Sequence, residues 1–233
     1  DFNNDGLLDI FITSGGSERY NNHKGYKDRL YINKVDFFEE IDFPVLLSST
    51  STVSAGDFDN DGDMDLFVGG RVVPGQYPIA PNSYIFENNG GEFINVTNDL
   101  IPELNHLGMV TSSIWTNYND DEFIDLIIVG EFMPITIFEG SYNGFHKTEL
   151  KNTRGLWNSI QGGDIDNDGD IDYVLGNIGL NTEYIASKKH PLKLKYADFD
   201  SNGSLDFIFS QFEQGHYYPI TSLDDLSSQI PEL

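Results

Sequence analysis

Five segments of this chain share one nine-residue frame, and that frame limits what the chain can fold into. Its fullest copies are Asp57-Phe58-Asp59-Asn60-Asp61-Gly62-Asp63-Met64-Asp65 and Asp164-Ile165-Asp166-Asn167-Asp168-Gly169-Asp170-Ile171-Asp172, both reading D-x-D-x-D-G-x-x-D. Carboxylates at positions 1, 3, 5 and 9 repel one another unless a hard cation sits among them, and an all-oxygen ligand set suits Ca²⁺. Glycine at position 6 permits the sharp turn that folds the ligands around one point.

Two further copies replace one carboxylate by an amide that still offers an oxygen. The first places Asp1, Asn3, Asp5 and Asp9 at the ligand positions, and the last places Asp198, Asp200, Asn202 and Asp206 there. The middle copy, with Asn117, Asn119, Asp121 and Asp125, carries Glu122 in the glycine position and keeps only two ligand carboxylates. It is expected to keep the loop shape and to bind metal weakly or not at all. Asp, Asn and Gly also build ordinary turns, but five in-frame copies are not ordinary turns. Position 9 sharpens the case, because each Asp there lies in an apolar run such as Met64-Asp65-Leu66-Phe67-Val68. A carboxylate buried in such a run needs a partner, and a metal ion is the expected one.

An EF-hand would place a bidentate Glu at position 12 and a helix after it. Position 12 is instead Ile12, Val68, Ile128, Leu175 and Phe209. This excludes EF-hands and argues against the other calcium repeats that want an acidic ligand there. Each loop runs into a short β-rich segment, at 8–13, 64–69, 124–129, 171–175 and 205–210. Between the first two loops the pattern offers strands at 10–13, 30–33, 37–41 and 52–55. The next interval repeats it at 66–68, 83–87, 93–97 and 110–115, with turn signals at Asn88-Asn89-Gly90-Gly91 and Asn143-Gly144. Four strands per unit is the content of a propeller blade. Runs such as Leu126-Ile127-Ile128-Val129 are apolar on both faces, as a sheet covered on both sides requires. The expected fold is therefore all-β, a β-propeller of four-stranded blades spanning residues 1–233 as one region. Loop starts at 1, 57, 117, 164 and 198 leave only 34 residues between the last two, so the fourth unit should lose or compress its outer strands.

The 233 residues carry a formal net charge of −25, and the ligand positions hold 16 of the 38 acids. Four bound Ca²⁺ would bring −25 to −17. The remaining charge argues against nucleic acid or an anionic membrane surface as partner. Cysteine is absent, so no disulfides hold the fold. Extracellular calcium modules work at roughly 0.1 to 1 mM, far above cytosolic Ca²⁺, which points to a secreted or cell-surface protein. No apolar run approaches the ~20 residues of a membrane helix, and no signal peptide lies in this segment.

The pattern of small residue, D-x-D-x-D-G-x-x-D and apolar strand resembles the FG-GAP or VCBS repeats of integrin-α-type β-propellers. The segments Trp157-Asn158-Ser159-Ile160-Gln161-Gly162-Gly163-Asp164 and Asp172-Tyr173-Val174-Leu175-Gly176-Asn177 resemble bacterial secreted VCBS-repeat proteins of the ASPIC/UnbV-associated type, although that module is not recognisable in these residues. The resemblance implies that the backbone carbonyl of position 7 joins the ligands, here Leu7, Asp63, Asp170 and Ser204. It also implies about seven blades in a closed ring, so that four to five units would be part of a longer propeller.

No catalytic constellation is visible. His23, His106, His146, His190 and His216 lack zinc-ligand spacing, and neither a G-x-S-x-G elbow nor a Walker loop nor H-E-x-x-H occurs. The expected function is a calcium-binding extracellular scaffold for a protein or glycan ligand, or for adhesion. The alternative is the propeller part of a secreted carbohydrate-active enzyme whose catalytic residues lie on loops or in another domain. Two stretches are candidates for recognition: 17–29, with four of the chain's 13 basic residues and two tyrosines, and the Pro/Gly-rich 70–78.

Overall fold

The computed structural model describes residues 1–44, 46–179 and 182–231. The strands are β1 (Ile10–Ile12), β2 (Arg29–Asn33), β3 (Phe38–Ile41), β4 (Ser49–Gly56), β5 (Asp65–Val72), β6 (Tyr84–Asn89), β7 (Glu92–Asn95), β8 (Met109–Thr116), β9 (Asp125–Met133), β10 (Thr136–Glu139), β11 (His146–Glu149), β12 (Gly155–Gly163), β13 (Asp172–Asn177), β14 (Lys193–Ala197), β15 (Asp206–Glu213) and β16 (His216–Pro219). Two short helices, α1 (Thr97–Leu100) and α2 (Leu223–Gln229), complete the regular structure with two 3₁₀ turns. No helix among the described residues is long and apolar enough to cross a membrane.

Each of the last four aspartate frames joins the end of one strand to the start of an antiparallel neighbour. Gly56 is opposite Asp65 across the second loop, Thr116 opposite Asp125, Gly163 opposite Asp172 and Ala197 opposite Asp206. The strand before a loop therefore belongs to the sheet of the strand after it. This corrects the unit boundary expected above: the segment around 52–55 lies in β4 and pairs with β5, not with β1 to β3. Apolar patterning locates strands but does not say which neighbour they hydrogen-bond to. The resulting sheets are β1-β2-β3, β4-β5-β6-β7, a third in which β9 holds β8 and the β10-β11 hairpin, and β14-β15-β16. The β12-β13 pair joins the third sheet at its end, where Leu156 is opposite Glu131. Four-strand units are complete twice, and the fourth unit is a pair of strands among the described residues.

From the first unit to the β12-β13 pair, successive sheets pack face to face, giving an all-β, propeller-like arrangement. In the second sheet, alternation divides one strand between two interfaces. Leu66 and Val68 of β5 face back to Leu30, Ile32 and Phe43 of the first unit, while Phe67 faces forward to Trp115, Leu126 and Ile128. In β9, Leu126 and Ile128 face back and Ile127 faces forward to Ile160 and Tyr173. Hence β5 and β9 are buried over their first six residues, and no wet face alternates with a dry one. Inner strands are also stitched by hydroxyls: Ser51 Oγ donates to Val110 O at 2.7 Å, and Thr111 Oγ1 to Trp157 O at 2.9 Å.

Candidate metal centre

Four of the five loops share one hydrogen-bond pattern. In the second loop, Asp57 accepts from the Asp61 and Gly62 amides at 3.1 Å, Asp59 accepts from Asp61 N at 3.2 Å, and Asp61 accepts from Asp63 N at 2.8 Å. The fourth loop repeats this through Asp164, Asp166 and Asp168, and the fifth through Asp198, Asp200 and Asn202. The first does so through Asp1, Asn3 and Asp5. Two left-handed residues, at positions 4 and 6, make the turn. Position 6 is glycine with φ between +86° and +101° in these four loops, and position 4 is Asn4, Asn60, Asn167 or Ser201 with φ from +56° to +61°. Position 4 carries a structural role that the ligand pattern did not reveal, although its Asn in three of five copies was a usable signal, since Asn tolerates the left-handed region.

The third loop departs where its sequence departs. Asp120 at position 4 is left-handed at +59°, but Glu122 is not among the left-handed residues. Asn117 has an amide nitrogen where the other loops have a second carboxylate oxygen, and that nitrogen donates to the Asp121 carbonyl. Asn119 and Asp121 keep their places in the pattern.

Position 9 turns out to be satisfied by backbone. One oxygen of Asp9, Asp65, Asp125, Asp172 and Asp206 accepts from the amide of position 2 in its own loop, at 2.7 to 3.0 Å. The other oxygen of Asp9, Asp65 and Asp125 accepts the amide of Asn33, Asn88 or Gly140, each 15 to 24 residues onward, at 2.8 Å. Asp65, Asp125 and Asp206 are buried, whereas Asp9 and Asp172 are half-buried. The burial of position 9 therefore does not by itself require a metal: the carboxylate clamps the loop to the strands. Even so, burial pushes Asp65 up to about 7 despite the Asn88 and Phe58 amides, and it raises Asp125 and Asp59 as well.

The donor chemistry nonetheless fits a divalent cation. Carboxylate oxygens of Asp57, Asp59 and Asp61 lie within 4.8 Å of one another, as do those of Asp164, Asp166 and Asp172, and of Asp198, Asp200 and Asp206. Three like charges at that spacing are unfavourable without a counter-charge. In the fourth loop, Asp170 is raised through its side-chain hydrogen bond with Asp168, which is lowered by the same contact.

Residues 1–68, spanning the first two loops and the strands between them, match the family model of the FG-GAP-like repeat. Residues 1–68 carry an FG-GAP-like repeat. No match to a curated protein was found. Beyond residue 68 the same hydrogen bonds recur in the loops that begin at 117, 164 and 198.

The first two loops also touch each other. Asn4 Nδ2 donates to Asp63 Oδ1 at 2.5 Å, and Asp63 Oδ2 accepts from Gly90 N at 2.6 Å. Position 2 reaches the next sheet: Phe2 packs edge-on against Phe93 at 5.7 Å, and Phe58 stacks on Trp115 at 6.0 Å and meets Phe145. Tyr118, Ile165 and Phe199 at the same position are exposed.

Proposed function

We propose that this protein is a calcium-stabilised extracellular scaffold whose loops at 1–9, 57–65, 164–172 and 198–206 each take one Ca²⁺, and whose role is to present a binding surface rather than to catalyse. The observation that carries this reading is the convergence of three carboxylates in each of three loops of identical hydrogen-bond pattern. Side chains at positions 1, 3, 5 and 9 would hold the ion, with the position-7 carbonyl. The ion supplies charge neutralisation, which locks the turn between two strands. An extracellular setting follows from the millimolar calcium that such modules use.

Isothermal titration of EDTA-stripped protein with Ca²⁺ tests the reading. Saturable binding at several sites, with a higher melting temperature, is expected. Absence of binding heat together with an unchanged melting temperature would overturn it.

A further inference from the structure

The calcium loops and the remaining long loops lie at opposite ends of the sheets. In the second sheet Gly56 is opposite Asp65 at the loop end, and Ser49 is opposite Val72 at the other, about 23 Å away for seven strand steps. At that far end the two stretches singled out in the sequence, 17–29 and 70–78, converge. Together with Leu46 to Ser48, Pro81, Asn82, Tyr84 and His106 they line an open cleft of ≈ 370 Å³, within the roughly 300–1,000 Å³ of ligand pockets.

Its lining is at odds with the rest of the molecule. In a chain with 38 acidic and 13 basic residues, no Asp, Glu, Lys or Arg is among the described residues that line it. The polar groups are the side-chain amides of Asn21, Asn22, Gln76 and Asn82, the hydroxyls of Ser48 and Tyr84, and the imidazole of His106. Apolar atoms of Leu46, Leu47, Val73, Ile79 and Pro81 supply the rest. The Oδ1 of Asn82 is buried without a hydrogen-bond partner in the protein. That oxygen is closed off from solvent, and the Asn82 side chain hydrogen-bonds Tyr84 beside it. His106 sits in the left-handed region at φ +58°, and its Nδ1 lies 2.8 Å from the Ala80 carbonyl. A carbonyl can only accept, so Nδ1 carries the proton, and in the neutral ring Nε2 is left as an acceptor.

We infer that this cavity binds a neutral saccharide, through Asn21, Asn22, Gln76, Asn82, Tyr84 and His106. Amides and hydroxyls both donate and accept, which matches sugar hydroxyls that do the same, and the apolar wall takes the C–H face of a ring. A charged ligand would find no counter-charge here. A neutral lining inside an acidic protein also spares an uncharged glycan the desolvation of fixed charges. This goes beyond the calcium reading, since the site lies at the other end of the strands and its ligand touches none of the metal loops.

The test is calorimetric titration of the calcium-loaded protein with neutral gluco-, galacto-, manno- and N-acetylated oligosaccharides, beside uronic-acid oligosaccharides and a neutral peptide pool. At least one neutral oligosaccharide should bind, and Asn82→Ala and Gln76→Ala should each weaken it at least tenfold. Gly144→Ala, on the β10–β11 turn, should leave it unchanged. Melting curves with calcium and with EDTA are recorded for every variant. Folding and calcium response are thereby read apart from sugar binding, and either reading can fail alone. Silence from every neutral sugar with folded protein, binding only of uronic acids or peptide, or sugar binding unaffected by both cavity variants would each overturn the inference.

Discussion

Asn88 Nδ2 donates to the Phe2 carbonyl at 2.9 Å, tying the first aspartate loop to the second sheet across 86 residues of chain. The same nitrogen donates to Met64 O at 3.1 Å, and Asn88 Oδ1 accepts from Gly91 N at 2.7 Å. Asn33 holds the same place in the first sheet, with Nδ2 on Leu8 O, while Gly140 holds it in the third and has no side chain to bridge with. Loops one and two are therefore linked in a way that loops two and three are not.

Asn88→Ala leaves the buried Phe2 carbonyl, the part-buried Met64 carbonyl and the Gly91 amide short of a partner. The expected loss is about 2–3 kcal/mol, read as a lower urea midpoint in saturating calcium. If the bridge couples the loops, calcium also binds the variant less cooperatively. Asn33→Ala, lacking an inter-sheet partner, should cost less.

Asp65→Ala removes the acceptor for the Phe58 and Asn88 amides at once. Stability should fall by about 2–4 kcal/mol even in EDTA, because the clamp works without metal. Equal melting of wild type and variant in EDTA would contradict the clamp.

Two glycines separate strain from crowding. Gly62, at φ +96°, has open space around it, so Gly62→Ala should cost about 1–2 kcal/mol through backbone strain alone, with weaker calcium binding. A methyl on Gly56 would meet Trp115 Cγ at 2.6 Å. Gly56→Ala should cost about 1–3 kcal/mol by overpacking while the calcium-induced rise in melting temperature persists. Denaturation with and without calcium distinguishes them.

Asp28 supplies the pH dependence. It is buried, Oδ1 accepts from Ser14 N and Thr50 Oγ1 at 2.7 Å, and Oδ2 has no partner. Burial pushes its carboxyl up from 3.8 to about 6, against the Thr50 and Ser14 hydrogen bonds and the Arg29 charge. A raised folded value means the fold holds the proton more tightly than the unfolded chain does. Its contribution is thus full below about pH 4 and is lost as pH rises to about 6, by up to about 3 kcal/mol. Asp28→Asn should flatten that part of the stability profile at constant calcium, and a wild-type slope in the variant would contradict it.

The loops and the strands that leave them were legible because Asp, Asn and Gly at fixed spacing state a turn, and apolar runs such as 126–129 state a doubly covered strand. Sheet membership was not, because β4 reads equally well as the last strand of one unit or the first of the next. The partners of position 9 were hidden for another reason: the Asn88 amide lies 23 residues from Asp65, and backbone groups leave no mark in composition. Helix α2 was missed too, although Ser222 caps it by accepting from Asp225 N and Leu226 anchors it. The meeting of 17–29 and 70–78 around one cavity is a property of the packing alone.

The central claim is that calcium locks the aspartate loops, and the most direct measurement is the melting temperature of EDTA-stripped protein across a calcium titration, with bound ions counted at saturation. At a free concentration one hundred times Kd, each occupied site adds about 2.7 kcal/mol. The prediction is a large, saturable rise with several ions bound per chain. A flat melting temperature up to 10 mM (about tenfold above the ~1 mM upper range of extracellular modules) with no ion retained would contradict it.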